Sequence, residues 1–531
     1  MSNSAEGALV GQKSLGAALI ASARRHADAQ ALWCKGKTLT YAELFGQAAA
    51  MATLIADAVD LVPGDRVAIL ADRTETAYAG ILATLLASAG YVPLNPRFPL
   101  LRNREILGDS GARVIICDES HRSQLKELIE GVDTPELIIL PESAEAAGDL
   151  DLPQRVKGDL TAFALDAEFT AERRDGDLAY LFFTSGSTGK PKGVPITNAN
   201  VFAYLSGIQS FCRFGPDDRV MQIVDLSFDL SVHDMFLTWL AGACLYSVPE
   251  NSVLLSTRIV QEFGITGWLS VPSTAAWLKQ AGQLTPNALP SLRYSFFCGE
   301  ALVGAVAESW AVAAPNSVIY NIYGPTEATV AFSWFHYHTG QEVPPAVVSL
   351  GEPLPDQHIG LFTDGVRVTH EQGEICLSGS QVTQGYWNAP HLTAERFFEA
   401  EGRRWYRTGD LGRYNPADGY HYAGRADHQV KIRGYRVELQ EIEHAVRTIS
   451  GSDLVAVLPW TPEEGGMTMG CVAFALRATA AESDIIARTK EQLPEYMVPE
   501  RVFIVDDIPF NVNGKVDYQA LKRHPLMAEI G

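Results

Sequence analysis

Basic charge is scarce in this chain: 42 Lys and Arg stand against 63 Asp and Glu, a formal charge of −21. No dense basic stripe appears along the sequence, so nucleic acid is not an expected partner. The acidic excess reads as a solvated surface. Cysteine pairs at metal-ligand or redox spacing are also missing. The seven cysteines (Cys34, Cys117, Cys212, Cys244, Cys298, Cys376 and Cys471) are scattered, and most sit inside apolar runs such as VIIC and FFCG. They are expected to be reduced core thiols, not a disulfide framework or a zinc site. No run reaches the ~20 apolar residues a membrane-crossing helix needs. The opening MSNSAEGALVGQKS has no basic start followed by an apolar stretch. Neither a signal peptide nor a membrane partner is expected, and the expected location is the cytoplasm.

What the chain does have is apolar mass. Apolar residues make up 47% and charged residues 20% of 531, enough for a sizeable core and roughly three or four folding units. Strand-like runs alternate with helical patterns: RVAIL, ETAYAGILATLLASAG, RVIICD, HRSQLKELIEG, ELIIL. A second such stretch runs from DRVMQIVDLSF through GITGWLSVPST and SLRYSFFCGEAL to NSVIYNIYG. Alternation of this kind predicts βαβ units and an α/β fold with mainly parallel sheets. Near residue 425 the texture becomes charge-rich (GRADHQVKIRGYRVELQEIEHAVRTI) and leads into a compact αβ pattern. The expected organisation is a large N-terminal body, 1–426, and a small mobile α+β C-terminal domain, 427–531, jointed at Asp427.

TSGSTGKPKG, residues 184–193, follows the apolar run LAYLFF and carries the glycines, hydroxyls and lysines of an anion cradle. It is not a Walker loop. Gly189-Lys190 is followed by Pro191 instead of Ser or Thr, and position 184 is Thr where that loop needs its first Gly. The kinase GxGxxG pattern is absent too. Hydroxyls and backbone N–H groups near Gly186 and Gly189 can still wrap phosphate oxygens, although a plain surface turn would read similarly.

Further segments follow in order: LTYAEL, GYVPLNP, YGPTEATV, GEICLSG, YRTGDL, GRADHQVKIRGYRVE, LPEYMVP and PFNVNGKVD. Together with the loop they resemble the adenylate-forming superfamily. The nearest likeness is to amino-acid adenylation domains of nonribosomal peptide synthetases and to D-alanine–carrier protein ligases. The resemblance spans almost the whole chain. It implies attack of a carboxylate on the α-phosphorus of ATP, with release of pyrophosphate and formation of an acyl-adenylate, a chemistry that asks for positioning and charge neutralisation.

The resemblance assigns Thr184, Ser185, Gly186, Thr188 and Lys192 to the β- and γ-phosphates, and Asn321, Tyr323, Gly324 and Thr326 to the base side of ATP. Glu327 becomes the Mg2+-associated acid, in keeping with a hard ion that takes one or two carboxylates plus phosphate oxygens. Asp410 would clamp the ribose hydroxyls, with Arg425 helping. Lys515 would bridge substrate carboxylate and α-phosphate, where losing such a group typically lowers the rate about 10²–10³-fold. In LSFDLSVHDMF (226–236) Asp229 matches the acid that pairs with a substrate ammonium, a partner a buried carboxylate needs. A helix-capping role for Asp229, or a capping box from Ser231 to Asp234, is the competing reading. The transferred pocket is Asp229, Leu230, His233, Ser270, Phe296, Cys298, Ile322, Val330, Ala331 and Lys515. Bulky Phe296 favours a small side chain. His233 departs from D-alanine ligases, and either a hydrogen bond to the substrate or a satisfied core histidine fits it.

The expected function is therefore an ATP-dependent ligase. It activates a small amino acid (alanine-like, with serine or proline possible) and passes it to the phosphopantetheine thiol of a carrier protein. With sixteen residues after Lys515, a carrier in trans is expected. The alternatives are an acyl-CoA synthetase for a short carboxylic acid and a non-catalytic nucleotide-binding relative.

Overall fold

The computed structural model describes residues 14–148, 150–160, 177–186, 189–249, 255–340, 347–369, 371–461, 468–510 and 516–530. Its Cα packing separates two units. One takes the described residues within Met1–Asn95, Leu107–Phe182 and Gly193–Ala426, and the other those within Pro96–Ile106, Phe183–Lys192 and Asp427–Gly531.

The larger unit is built on sheets whose strands read as unbroken apolar runs, because helices or other layers bury both faces. Val114–Cys117 (VIIC) and Leu137–Leu140 (LIIL) are buried at every position. They belong to a seven-stranded sheet ordered Gln154–Val156, Leu137–Leu140, Val114–Cys117, Arg66–Leu70, Gly90–Leu94, Leu178–Thr184, Lys192–Thr197. Its pairings from the first of these strands through Leu178–Thr184 are parallel. The α/β class expected from the alternation is thus the observed one. The helix Glu75–Leu86 between two of these strands is buried from Thr76 to Leu86, so its composition is apolar all round and not striped. The neighbouring helix Tyr41–Ala58 starts at a reciprocal cap: Thr40 Oγ1 accepts from Glu43 N, and the Glu43 carboxylate accepts from Thr40 N.

A nine-stranded sheet positions the site. Its order is Glu352–Pro353, Ser333–Tyr337, Val318–Tyr323, Tyr294–Phe297, Gly267–Ser270, Arg219–Gln222, Cys244–Ser247, Gln30–Cys34, Lys37–Thr40. The strands from Val318–Tyr323 to Gln30–Cys34 are parallel, with antiparallel edges outside them. The order in which successive strands are added reverses about Arg219–Gln222. The next strand, Cys244–Ser247, lies on one side of it and the following one, Gly267–Ser270, on the other. In open α/β sheets such a switch point opens a crevice at the carboxyl ends of the strands, where ligands bind. A mostly antiparallel sheet of six strands (residues 358–425) completes this unit.

In the smaller unit the hairpin Gln429–Ile432/Tyr435–Glu438 leads into the helix Leu439–Ser450. That helix ends on Gly451 at φ +66°, a left-handed conformation glycine adopts without a Cβ clash. A three-stranded sheet, Val455–Trp460, Gly470–Leu476 and Arg501–Val505, carries a core of Ile442, Val446, Val457, Ala473 and Met497. Among the described residues no helix is long and apolar enough to cross a membrane. All seven cysteines are buried free thiols. Burial pushes the Cys34 thiol up to about 11 and that of Cys244 to about 12.

Candidate functional site

The loop after Arg219–Gln222 leads directly into the helix Leu230–Leu240, so Asp229 and His233 lie one turn apart at the switch point. Asp229 is 8% exposed, and its side chain makes no capping bond to the helix. The capping box from Ser231 to Asp234 is also absent, because the helix begins two residues earlier and Ser231 Oγ donates to Phe228 O at 2.6 Å. His233 is buried. Its Nδ1 stands 2.6 Å from the Tyr204 hydroxyl, and its ring meets Phe296 edge-on at 4.5 Å between centroids.

Burial drives the His233 imidazole down to about 3, which leaves it neutral at physiological pH. Asp234 beside it is fully buried, and neither carboxyl oxygen has a hydrogen-bond partner among the described residues. Burial, opposed by the charge of Arg73, raises the Asp234 carboxyl well above the usual carboxylate range. Leu230, Phe296, Cys298, Ile322, Val330 and Ala331 share one apolar cluster. Ser270 ends its strand buried, with its hydroxyl accepting from Trp268 Nε1 at 2.9 Å and donating to Val271 O at 3.0 Å.

The strand Val318–Tyr323 delivers the next group. Asn321 is buried and donates to Ser349 O at 2.7 Å, so its amide secures a neighbouring segment. Gly324 admits no side chain, since an added Cβ would stand 2.7 Å from Ala331 Cα. Thr326 opens a short 3₁₀ turn, Thr326–Ala328, that places Glu327 at zero exposure. Tyr386 donates to Glu327 Oε1 at 2.7 Å, and Thr383 N donates to the Glu327 carbonyl at 2.8 Å. Just beyond, Thr329 and Val330 hold φ of 59° and 67°, left-handed values that β-branched residues adopt only when surroundings enforce them. Gln381 helps to enforce them: its carbonyl accepts from Thr329 Oγ1 at 2.6 Å, and its Nε2 donates to Ala331 O at 2.7 Å.

Asp410 is bracketed on both oxygens. Tyr323 donates its hydroxyl to Oδ2 at 2.6 Å, Arg425 pairs with Oδ1, and Thr408 Oγ1 accepts from Asp410 N at 3.0 Å. Burial first, and then the Asp410 charge, push the Tyr323 phenol well above its ordinary value, so it remains a donor. Each Asp410 oxygen retains a lone pair, which suits a diol.

The residues that the sequence resemblance expects at the phosphates belong, where described, to the smaller unit. Thr184 ends a strand, with its hydroxyl buried and unpartnered among the described residues. Ser185 donates to Arg436 O at 2.8 Å and accepts from Glu438 N at 3.2 Å. Gly186 N donates to Glu441 Oε2 at 3.1 Å, and a Cβ there would collide with Lys190 O. Glu441 also pairs with buried Arg102, and Lys192 lies 3.7 Å from Glu438. Asp427 accepts from Gln429 N at 3.2 Å. Thr188 and Lys515 lie outside the described residues.

Tyr204, Gln381 and Tyr386 were not singled out by sequence reasoning. They sit outside the motif segments, and only long-range packing brings them to motif residues. Among the described residues no group of three or more His, Cys, Asp or Glu side chains could hold a metal ion. Glu327, a buried hard-oxygen donor, fits Mg2+, which needs one or two carboxylates when phosphate oxygens supply the rest.

A family model described as AMP-binding enzyme matches residues 19–387. Tyrocidine synthase 2 of Brevibacillus parabrevis is 31% identical over 502 residues, covering 93% of this chain and 13% of its own length. Delta-poly-L-ornithine synthetase of Acinetobacter baumannii is 33% identical over 518 residues, covering 95% of this chain and 36% of its own. The chain therefore spans only a small part of these curated relatives. Among solved structures, the Vibrio cholerae adenylation domain AlmE in complex with glycyl-adenosine-5'-phosphate is similar at TM-score 0.86 and 33% identity, covering 96% of this chain and 97% of that one.

Proposed function

The chain belongs to the AMP-binding enzyme family, and from that premise we propose that it activates a small amino acid as its aminoacyl-adenylate and passes it to a carrier-protein thiol. The observation that carries this reading is Asp229. Asp229 is a buried carboxylate at the switch point that does not cap its helix, in the position where the family resemblance puts the acid that meets a substrate ammonium, and its charge suits that ammonium. Phe296 and His233, packed edge to face, keep the side-chain space small. The structure similar to this chain that holds a glycyl-adenylate supports a small substrate.

In this mechanism Asp229 fixes the ammonium, and Asp410, held by Tyr323 and Arg425, accepts from both ribose hydroxyls. Thr184, Ser185, Gly186, Thr188 and Lys192 bind the terminal phosphates. Glu327 would hold Mg2+, which neutralises phosphate charge when bound. Lys515 stabilises negative charge as the carboxylate attacks phosphorus and pyrophosphate departs. The second half-reaction is attack of a phosphopantetheine thiol on the adenylate, with the carrier supplied in trans.

Amino-acid-dependent ATP–pyrophosphate exchange, followed by loading of separately purified holo-carrier proteins, tests both halves. Exchange with glycine, alanine or serine is expected. Exchange only with amine-free acids would overturn the reading. Asp427→Pro, at the proposed hinge, should leave exchange near wild type and lower carrier loading at least about tenfold. Equal loss of both would remove the hinge from the scheme.

A further inference from the structure

His233 is 1% exposed and neutral, as a core histidine is, but it departs from a satisfied one in a single respect: its Nε2 has no hydrogen-bond partner among the described residues. Its other nitrogen is fixed. Tyr204, on the helix Asn198–Gln209, brings its hydroxyl 2.6 Å from Nδ1 and has no second partner among the described residues.

A neutral imidazole carries one proton, and the hydrogen bond at one nitrogen decides where it sits. If Nδ1 held the proton, the Tyr204 O–H would be a buried donor with no acceptor, and Nε2 a buried acceptor with no donor. If Tyr204 donates to Nδ1, its hydroxyl proton is satisfied and the imidazole proton resides on Nε2. The second arrangement leaves one unpaired polar group instead of two, so it is favoured.

The result is a buried N–H donor one helical turn beyond Asp229, against Phe296. Burial first, and then the proximity of Cys298, Asp234 and Asp229, raises the Tyr204 phenol, so these groups are near neighbours of the hydroxyl that fixes it. Resting on the reading of Asp229 as the ammonium partner, we propose that Tyr204 positions the His233 Nε2–H to donate to the substrate's side chain, and that the substrate is a small α-amino acid bearing a neutral side-chain oxygen, as serine does. A side-chain carboxylate would add a second negative charge beside Asp229. A hydroxyl satisfies the donor without that repulsion, and a methyl in its place leaves the donor buried and unpaired.

The test is pyrophosphate exchange by the full chain with serine, its near-isostere 2-aminobutyrate, alanine and glycine. Serine is expected to exceed 2-aminobutyrate in kcat/KM by at least about tenfold. His233→Phe should abolish that preference. Tyr204→Phe should raise the KM for serine about tenfold, with kcat and the KM for ATP nearly unchanged. Long-range nitrogen NMR of histidine-labelled wild type should report an Nε2-protonated neutral imidazole for His233, a readout independent of any variant's folding. Equal use of serine and 2-aminobutyrate, or an Nδ1-protonated ring, would overturn this inference while leaving small-amino-acid activation intact. No exchange with any amino acid would instead overturn the functional reading beneath it.

Discussion

Asp410 and the start of the helix Leu230–Leu240 are both buried and polar in the larger unit, yet they are finished differently. Around Asp410 each carboxylate oxygen already has a donor from the chain, Tyr323 on one and Arg425 on the other. Around the helix start, the His233 Nε2 and both Asp234 oxygens have none among the described residues. The first arrangement is preorganised: its dipoles are aimed before a ligand arrives, so binding requires little reordering. The second stores unsatisfied polarity that a ligand or a proton must relieve. Under the function proposed above, Asp410 would meet a nucleotide common to the whole family and the helix start the amino acid, so the first site can be built once. Selectivity between amino acids is more readily obtained where an unpaired group penalises the wrong occupant.

Three substitutions would break or sharpen that contrast. The largest effect is expected from Asp229→Ala, which removes the proposed counter-ion. Amino-acid-dependent exchange should fall about 10²–10³-fold, as for truncating one partner of a buried charge pair. A variant that kept full exchange would move the ammonium elsewhere. Next, Arg425→Leu leaves Asp410 with Tyr323 alone. Chemical denaturation should show a loss of about 2–4 kcal/mol, below the fully buried limit because both side chains retain some exposure. The KM for ATP should rise with it, and an unchanged KM would detach Asp410 from nucleotide binding.

The smallest effect is expected at Asp234. Its raised folded pKa means that the native state keeps the proton, while the unfolded chain releases it above about pH 4. The stability contributed by this group is complete below the unfolded value and declines as pH rises toward the folded one. Asp234→Asn should therefore gain stability on the wild type between pH 4 and pH 8, read from urea midpoints at the two pH values. A difference that does not change with pH would mean that Asp234 is ionised in the fold.

Much of the architecture was legible because burial on both faces forces strands such as VIIC and LIIL to be continuously apolar, and helical runs separate them. Candidate site residues likewise fall at strand ends, where apolar runs stop: Ser270, Tyr323 and Thr184 each terminate a strand. Other features depend on contacts between positions far apart in the chain. Residues 96–106 and 183–192 group with the C-terminal residues through links such as Arg102 to Glu441, 339 positions apart, which no local pattern encodes. The Tyr204 partner of His233 and the Tyr386 partner of Glu327 are invisible for the same reason. The left-handed Thr329 and Val330 run against local preference altogether. No propensity argument assigns β-branched residues to positive φ, and the Gln381 bonds that hold them there come from some fifty residues away.

Because every native thiol is shielded in the core, the molecule offers a clean background for site-directed labelling. Cysteines introduced at exposed Val366 and at Lys490 would react with maleimide dyes, while the seven original sulfurs stay silent under native conditions. A fluorophore pair attached there would act as a molecular ruler that tests the hinge proposed at Asp427, without removal of any natural residue from the interior.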